Sequence, residues 1–163
     1  MRWLVLALLL LLPLSAAENW GALQPLIGRW VGEGVGDPGQ GSGGFSFEPD
    51  LQGKILVRKN FAEYAAAAGK PASRHDDLMI VFREDPAESL RAMYFDNEGH
   101  VIRYTVREAR GSVIFESDGP GTVTRYRMTY KTQGTDRLTL QFEIAPPGKD
   151  FAPYIQATAR RAP

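Results

Sequence analysis

Few residues in this chain are equipped for chemistry, and their spacing narrows what that chemistry could be. There are two histidines and no cysteine. His75 lies in Ser73-Arg74-His75-Asp76-Asp77, a polar run leading into an apolar one. An imidazole beside two acids is a usable metal donor set, yet no His-x-His or His-x-x-x-His spacing accompanies it. The run reads as the solvated start of a strand, and no metal site is expected. His100 follows the Asn97-Glu98-Gly99 turn and shares strand phase with Ile102 and Tyr104. It is expected as a polar residue at a rim, and as the acid–base group if the protein were an enzyme acting on a bound small molecule or lipid. Asp76 and Asp77 are adjacent in an extended segment, so their carboxyls face opposite sides and form no acid–base dyad. No serine occupies a Gly-x-Ser-x-Gly elbow. The missing cysteine excludes disulfides, thiolate metal sites and a cysteine nucleophile together. Gly39 to Gly44 lacks the Lys-Ser/Thr ending of a phosphate loop and reads as a hairpin connection. No constellation supports catalysis, and the reading leans towards a non-enzymatic binding protein.

The elements that carry these residues begin after a leader. Met1-Arg2, an apolar run from Trp3 to Leu14, and Ser15-Ala16-Ala17 have the three-part plan of a secretory signal peptide over 1–17. The run falls short of the roughly 20 residues of a spanning helix. It predicts a secreted or periplasmic protein with no stable membrane insertion after cleavage, and a single domain over 18–163. Lys plus Arg equals Asp plus Glu at 19 each. No net field therefore recruits nucleic acid or an anionic membrane. The basic stretch Arg125-Tyr126-Arg127-Met128-Thr129-Tyr130-Lys131 puts its aromatics and arginines on opposite faces of one strand. It reads as core tyrosines backed by solvated arginines.

Beyond Glu18 the chain predicts strand after strand, with Asn19 to Ile27 limited to a helical turn or two by Pro25. Strands are expected near Trp30–Gly36, Gly44–Pro49, Lys54–Tyr64, Asp76–Arg83, Ser89–Asp96, His100–Ala109, Ser112–Asp118, Thr122–Lys131, Arg137–Ala145 and Pro153–Arg161. Turn chemistry separates them, as in Asp118-Gly119-Pro120-Gly121 and Pro146-Pro147-Gly148. Arg137-Leu138-Thr139-Leu140-Gln141-Phe142-Glu143-Ile144 alternates polar and apolar without a break, as a half-buried antiparallel strand does. One inner face per strand and hairpin-like connections favour an all-β fold: a closed antiparallel up-and-down β-barrel of 8–10 strands with a short N-terminal helical turn. A two-sheet sandwich is the alternative. The expected inner wall is Phe45, Phe47, Val57, Phe61, Ile80, Phe82, Tyr104, Phe115, Tyr126, Met128, Leu140 and Phe142. Trp30 is expected to plug one end.

Leu26-Ile27-Gly28-Arg29-Trp30-Val31-Gly32-Glu33-Gly34 resembles the opening of calycin-type, lipocalin-like barrels, and of nitrobindin-like proteins among them. The run from Leu138 to Ala145, followed by Phe151 to Arg160, resembles the closing hairpin of the same proteins and of uncharacterised exported bacterial barrels. The resemblance implies a barrel that encloses a ligand. Nitrobindin-like proteins bind haem through a histidine at the start of the last strand, and that position here carries Tyr154. Tyrosinate ligates ferric haem elsewhere, so the resemblance implies Tyr154 as the axial ligand if haem is bound. Alternation of Ile155, Ala157 and Ala159 turns Tyr154 outward unless a bulge re-aims it. The leading expectation is an exported barrel binding a small apolar or amphipathic molecule without a cofactor, with Tyr104, Phe115, Tyr126, Met128, Leu140 and Phe142 on the cavity wall. The alternatives are a haem barrel, an enzyme and a solid interaction module.

Overall fold

A computed structural model describes residues 19–33, 42–66, 69–84 and 89–163. The expected leader, the end of the first expected strand at 34–36, the glycine-dense connection at 39–41 and part of the Ala65–Pro71 loop lie outside the described residues. Ten strands follow a 3-10 turn at Gly21–Leu26: β1 (Gly28–Glu33), β2 (Ser42–Asp50), β3 (Ile55–Tyr64), β4 (Ser73–Glu84), β5 (Ser89–Asp96), β6 (Val101–Ala109), β7 (Ser112–Ser117), β8 (Arg125–Gln133), β9 (Arg137–Ala145) and β10 (Ala152–Arg161). Each strand pairs antiparallel with its neighbours in the chain, and β1 pairs with β10, so the sheet closes into an up-and-down barrel. Closure leaves no edge strand to template aggregation. It also removes the sandwich alternative.

The N-terminal turn closes one end. Leu23 and Leu26 are fully buried beneath it and Trp20 is 1% exposed. Trp30 donates its indole N–H to the Leu26 carbonyl at 2.8 Å. Arg161 lies over the Trp30 ring at 4.4 Å and donates to the carbonyls of Ile27 and Pro25 at 2.8 and 2.9 Å. A guanidinium at the end of β10 thus ties the last strand to the turn that opens the chain.

Aromatic rings fill the barrel above this plug. Trp30 stacks on Phe45 at 6.2 Å; Phe45, Phe47 and Phe115 each meet Tyr130 edge-on at 5.6 to 5.9 Å; Tyr104 continues the series from Phe115 to Tyr94. Edge-to-face rings at these spacings add to the gain from burying the area itself.

The expected inner wall is wrong on two strands. Ladder partners share a face, and buried Phe47 pairs with Arg58, which pairs with Met79; Leu56 pairs with Val81. Leu56, Arg58, Met79 and Val81 are all buried. Val57, Phe61, Ile80 and Phe82 therefore face outward, Phe61 being 38% exposed. The reason is physical. Both faces of β3 and β4 carry large apolar residues, and the inner face also holds a buried ion pair, Arg58 with Asp77, so hydrophobic alternation selects the more apolar outer face.

Candidate functional site at the open end

The end opposite the plug gathers the finish of β3, β5, β7 and β9 and the start of β4, β6, β8 and β10. Its most telling feature is on β10. The register against β9 runs Ala152 to Ile144 and Pro153 to Glu143, then shifts so that Ile155 meets Phe142. Tyr154 is the extra residue of a β-bulge, the device that re-aims a side chain. Its ring meets Phe142 edge-on at 6.3 Å, and Phe142 stacks flat on Tyr126 at 6.0 Å with a 7° tilt. Both Phe142 and Tyr126 pack against the core, so Tyr154 lies against the inner wall although it is 52% exposed.

Across the opening stands a polar network. Asp77 faces inward at 5% exposure, paired with Arg58 and accepting from the Asn60 amide at 2.8 Å. His75 Nε2 lies 3.4 Å from Asp77 and 3.2 Å from the Tyr94 hydroxyl, and its Nδ1 lies 3.0 Å from Glu98. Tyr94 donates to Asp96 at 3.3 Å. Asp96 also accepts from the backbone N–H groups of Glu98 and His100 and meets His100 Nδ1 at 2.8 Å. Hydrogen bonding to Asp77 raises the His75 pKa to about 9, with Glu98 adding to it against the opposing effect of burial. Burial, then the charges of Asp77 and Asp96, pushes the Tyr94 phenol up. At Arg58 burial opposes the charge, and Asp77 together with the Tyr130 and Tyr94 phenols outweighs it. Tyr64, at the end of β3, is raised by partial burial with Tyr154 and Glu98 as its neighbours.

Of the residues expected at a cavity, Tyr104, Phe115 and Met128 are buried in the midsection packing, whereas Tyr126, Leu140 and Phe142 are only partly buried. His100 sits at the open end, 54% exposed and bonded to Asp96. His75 is a correction: it faces inward, paired across the ladder with Ala62, and is not a solvated strand start. Asp76 and Asp77 do split to opposite faces, the first to Arg74 outside and the second to Arg58 inside. Sequence reasoning missed Arg58, Asn60, Asp77 and Tyr94. The one available signal was the Phe45–Phe47 spacing, which fixes the phase of β3 through the β2–β3 register.

The matching family model is described as a THAP4-like, heme-binding beta-barrel domain, and it covers residues 19–161. The chain belongs to this family. The likeness read from the two chain ends thus stands at the level of a ligand-binding barrel family. Among solved structures, this THAP4-like barrel is similar to Rv2717c from M. tuberculosis, with a TM-score of 0.59 and 16% identity over 87% of this chain and 98% of that one. That likeness is one of fold. No curated protein matches the chain in sequence.

Proposed function

We propose that this barrel binds a flat, largely apolar molecule in its open end, and that haem is the ligand the residues suit best. The observation that carries the reading is the bulge that lays Tyr154 against the Phe142–Tyr126 wall. Three features of the open end fit a porphyrin. Tyr154 supplies a half-exposed phenol, a hard oxygen donor suited to ferric iron. Phe142 and Tyr126 supply a flat aromatic face. Gly32, Gly43, Ala62 and Ala157 share the inner phase of their strands, so β10, β1, β2 and β3 present small residues between the inward Trp30 and Phe45 and the open end. The family's haem-binding description supports the same ligand.

Tyr154 would hold the iron, Phe142 and Tyr126 would stack on the ring, and bound ferric haem would supply a Lewis-acidic, redox-active centre. The protein's own contribution is burial on one side and a fixed polar group on the other. His75, Tyr94 and Asp77 hold one another in place by hydrogen bonds, the preorganisation that makes a polar group effective in a dry site. The leader over 1–17 supports export to a secreted or periplasmic location.

Titration with ferric haem tests the ligand. The expected result is saturable binding near one per chain with a Soret band of tyrosinate ligation, and a large loss of affinity in Tyr154→Phe. A wild type without saturable haem binding rejects haem. In that case an environment-sensitive apolar dye binding at about 1:1 supports the small-molecule barrel, with Tyr126→Phe altering its affinity more than stability.

A further inference from the structure

Among the described residues, the N-terminal turn does not fill the plugged end evenly. A cleft of about 310 Å³ lies between that turn and the ends of β4 to β7, at the low end of the volumes that hold small ligands. Leu23, Leu90, Val106 and Val113 give it an apolar floor. Above that floor the inner rows change character. Arg83 follows Met79 and Val81 on the inner face of β4 and pairs across the ladder with Leu90. Glu108 follows Tyr104 and Val106 on β6 and pairs with Val113. Two charges thus stand where the two inward residues before each are apolar.

Trp20 lines the same cleft. Its side chain is buried, and its indole N–H has no hydrogen-bond partner among the described residues. Trp30, at the same end, donates its own to the Leu26 carbonyl at 2.8 Å. A buried donor without an acceptor is rare in a folded protein, because its desolvation goes uncompensated. Beside it the fold fixes a cation. Arg83 Nη2 donates to the Asn19 carbonyl at 2.9 Å, and the guanidinium lies 5.7 Å from the centre of the Trp20 ring. The mouth is more exposed. Arg107 stands there, 3.5 Å from Glu116 on the outer face, together with Glu108. The cleft therefore has an apolar floor, a wall carrying a neutral donor and a cation, and an acid at its mouth.

We infer that this cleft binds a small monocarboxylic acid with a compact apolar body, its carboxylate meeting the Trp20 N–H and the Arg83 guanidinium. The carboxylate is the acceptor that the indole lacks, and the guanidinium adds a charge-assisted hydrogen bond to it. The apolar body rests on Leu90, Val106 and Val113, where removal of both surfaces from water favours binding. Glu108 sets the number of charges, because an acid at the mouth repels a second carboxylate on the ligand. The cleft lies at the opposite end of the barrel from Tyr154, so it does not depend on the haem reading.

Proton–nitrogen correlation NMR of the purified protein, titrated with benzoate, tests this, since each indole N–H gives its own cross-peak. The expected result is a saturable shift of the Trp20 indole peak while that of Trp30 stays in place. Arg83→Gln should weaken benzoate binding about tenfold, the loss of one charge-assisted hydrogen bond. Should Arg83→Gln fail to fold, the exposed Glu108 provides the test. Glu108→Gln should keep the β circular dichroism and tighten the binding of terephthalate, the matching dicarboxylate, severalfold towards that of benzoate. A Trp20 peak unmoved by benzoate at about 20 mM, well above the Kd of a weak site, overturns the inference. So does binding indifferent to both variants. Shifts centred on the amides of Tyr126 and Phe142 would place the acid in the open end and equally overturn it.

Discussion

His75 is the residue whose charge the fold controls most directly. Its pKa is raised from 6.5 to about 9, chiefly by the hydrogen bond to Asp77. A group raised on folding contributes stability that is fully present below the unfolded value and is lost as pH rises through the folded one. Melting temperature should therefore hold up to about pH 6.5 and fall as the pH passes about 9, and His75→Gln should flatten that decline. A wild-type melting profile unchanged between pH 6.5 and 10 would place His75 outside the network. Asp77 governs a second effect. Arg58 is buried with its Nε unpaired, so Asp77→Leu strands a cation in the barrel and should cost about 3–5 kcal/mol in urea unfolding. Adding Arg58→Met should recover most of that loss, because the well-packed apolar pair carries no desolvation penalty. Tyr154, Tyr126 and Phe142 were legible as individual residues, since family resemblance or clean alternation marked them. Asp77 was not, because an inward acid contradicts the very pattern used to find the inner face.

At the scale of elements, the closed end and β10 make separate demands. Trp30 joins the N-terminal turn to the aromatic packing, and Trp30→Ala should cost about 3–5 kcal/mol, measured by chemical denaturation. A cost under about 1 kcal/mol would show that the turn closes the barrel without it. On β10 the bulge is what aims Tyr154. Deleting Pro153 restores one-to-one pairing and sets Tyr154 opposite Glu143, on the outer face. That variant should keep its β circular dichroism and lose haem binding to the same extent as Tyr154→Phe. Retained binding would separate the phenol's role from its placement. The strands themselves were largely readable: β5 and β9 match expectation at both ends, because turn residues bound them and no competing phase exists. β3 and β4 were readable as strands but not as faces, since Leu78-Met79-Ile80-Val81-Phe82 offers an apolar row in either phase.

Among the described residues the molecule is a single closed ladder, dense at one end and open at the other. Backbone amides in the rows through Phe115, Met128 and Tyr130 should exchange slowest with deuterated solvent, and those near Tyr64, Asn97 and Tyr154 fastest. Uniform protection along every strand would contradict that gradient. Ten strands and hairpin connections were legible from turn signals. The closure of β1 on β10 was not, because no local pattern records a pairing between Trp30 and Arg161. That pairing has one more consequence. It brings the start of β1 and the finish of β10 together at the plugged end, where Ala162 donates its N–H to the Arg29 carbonyl at 2.8 Å. A tag, fusion partner or surface attachment joined directly before Asn19 or directly after Ala162 would therefore hang from the plugged end, and a molecule tethered that way would present its mouth to the solution.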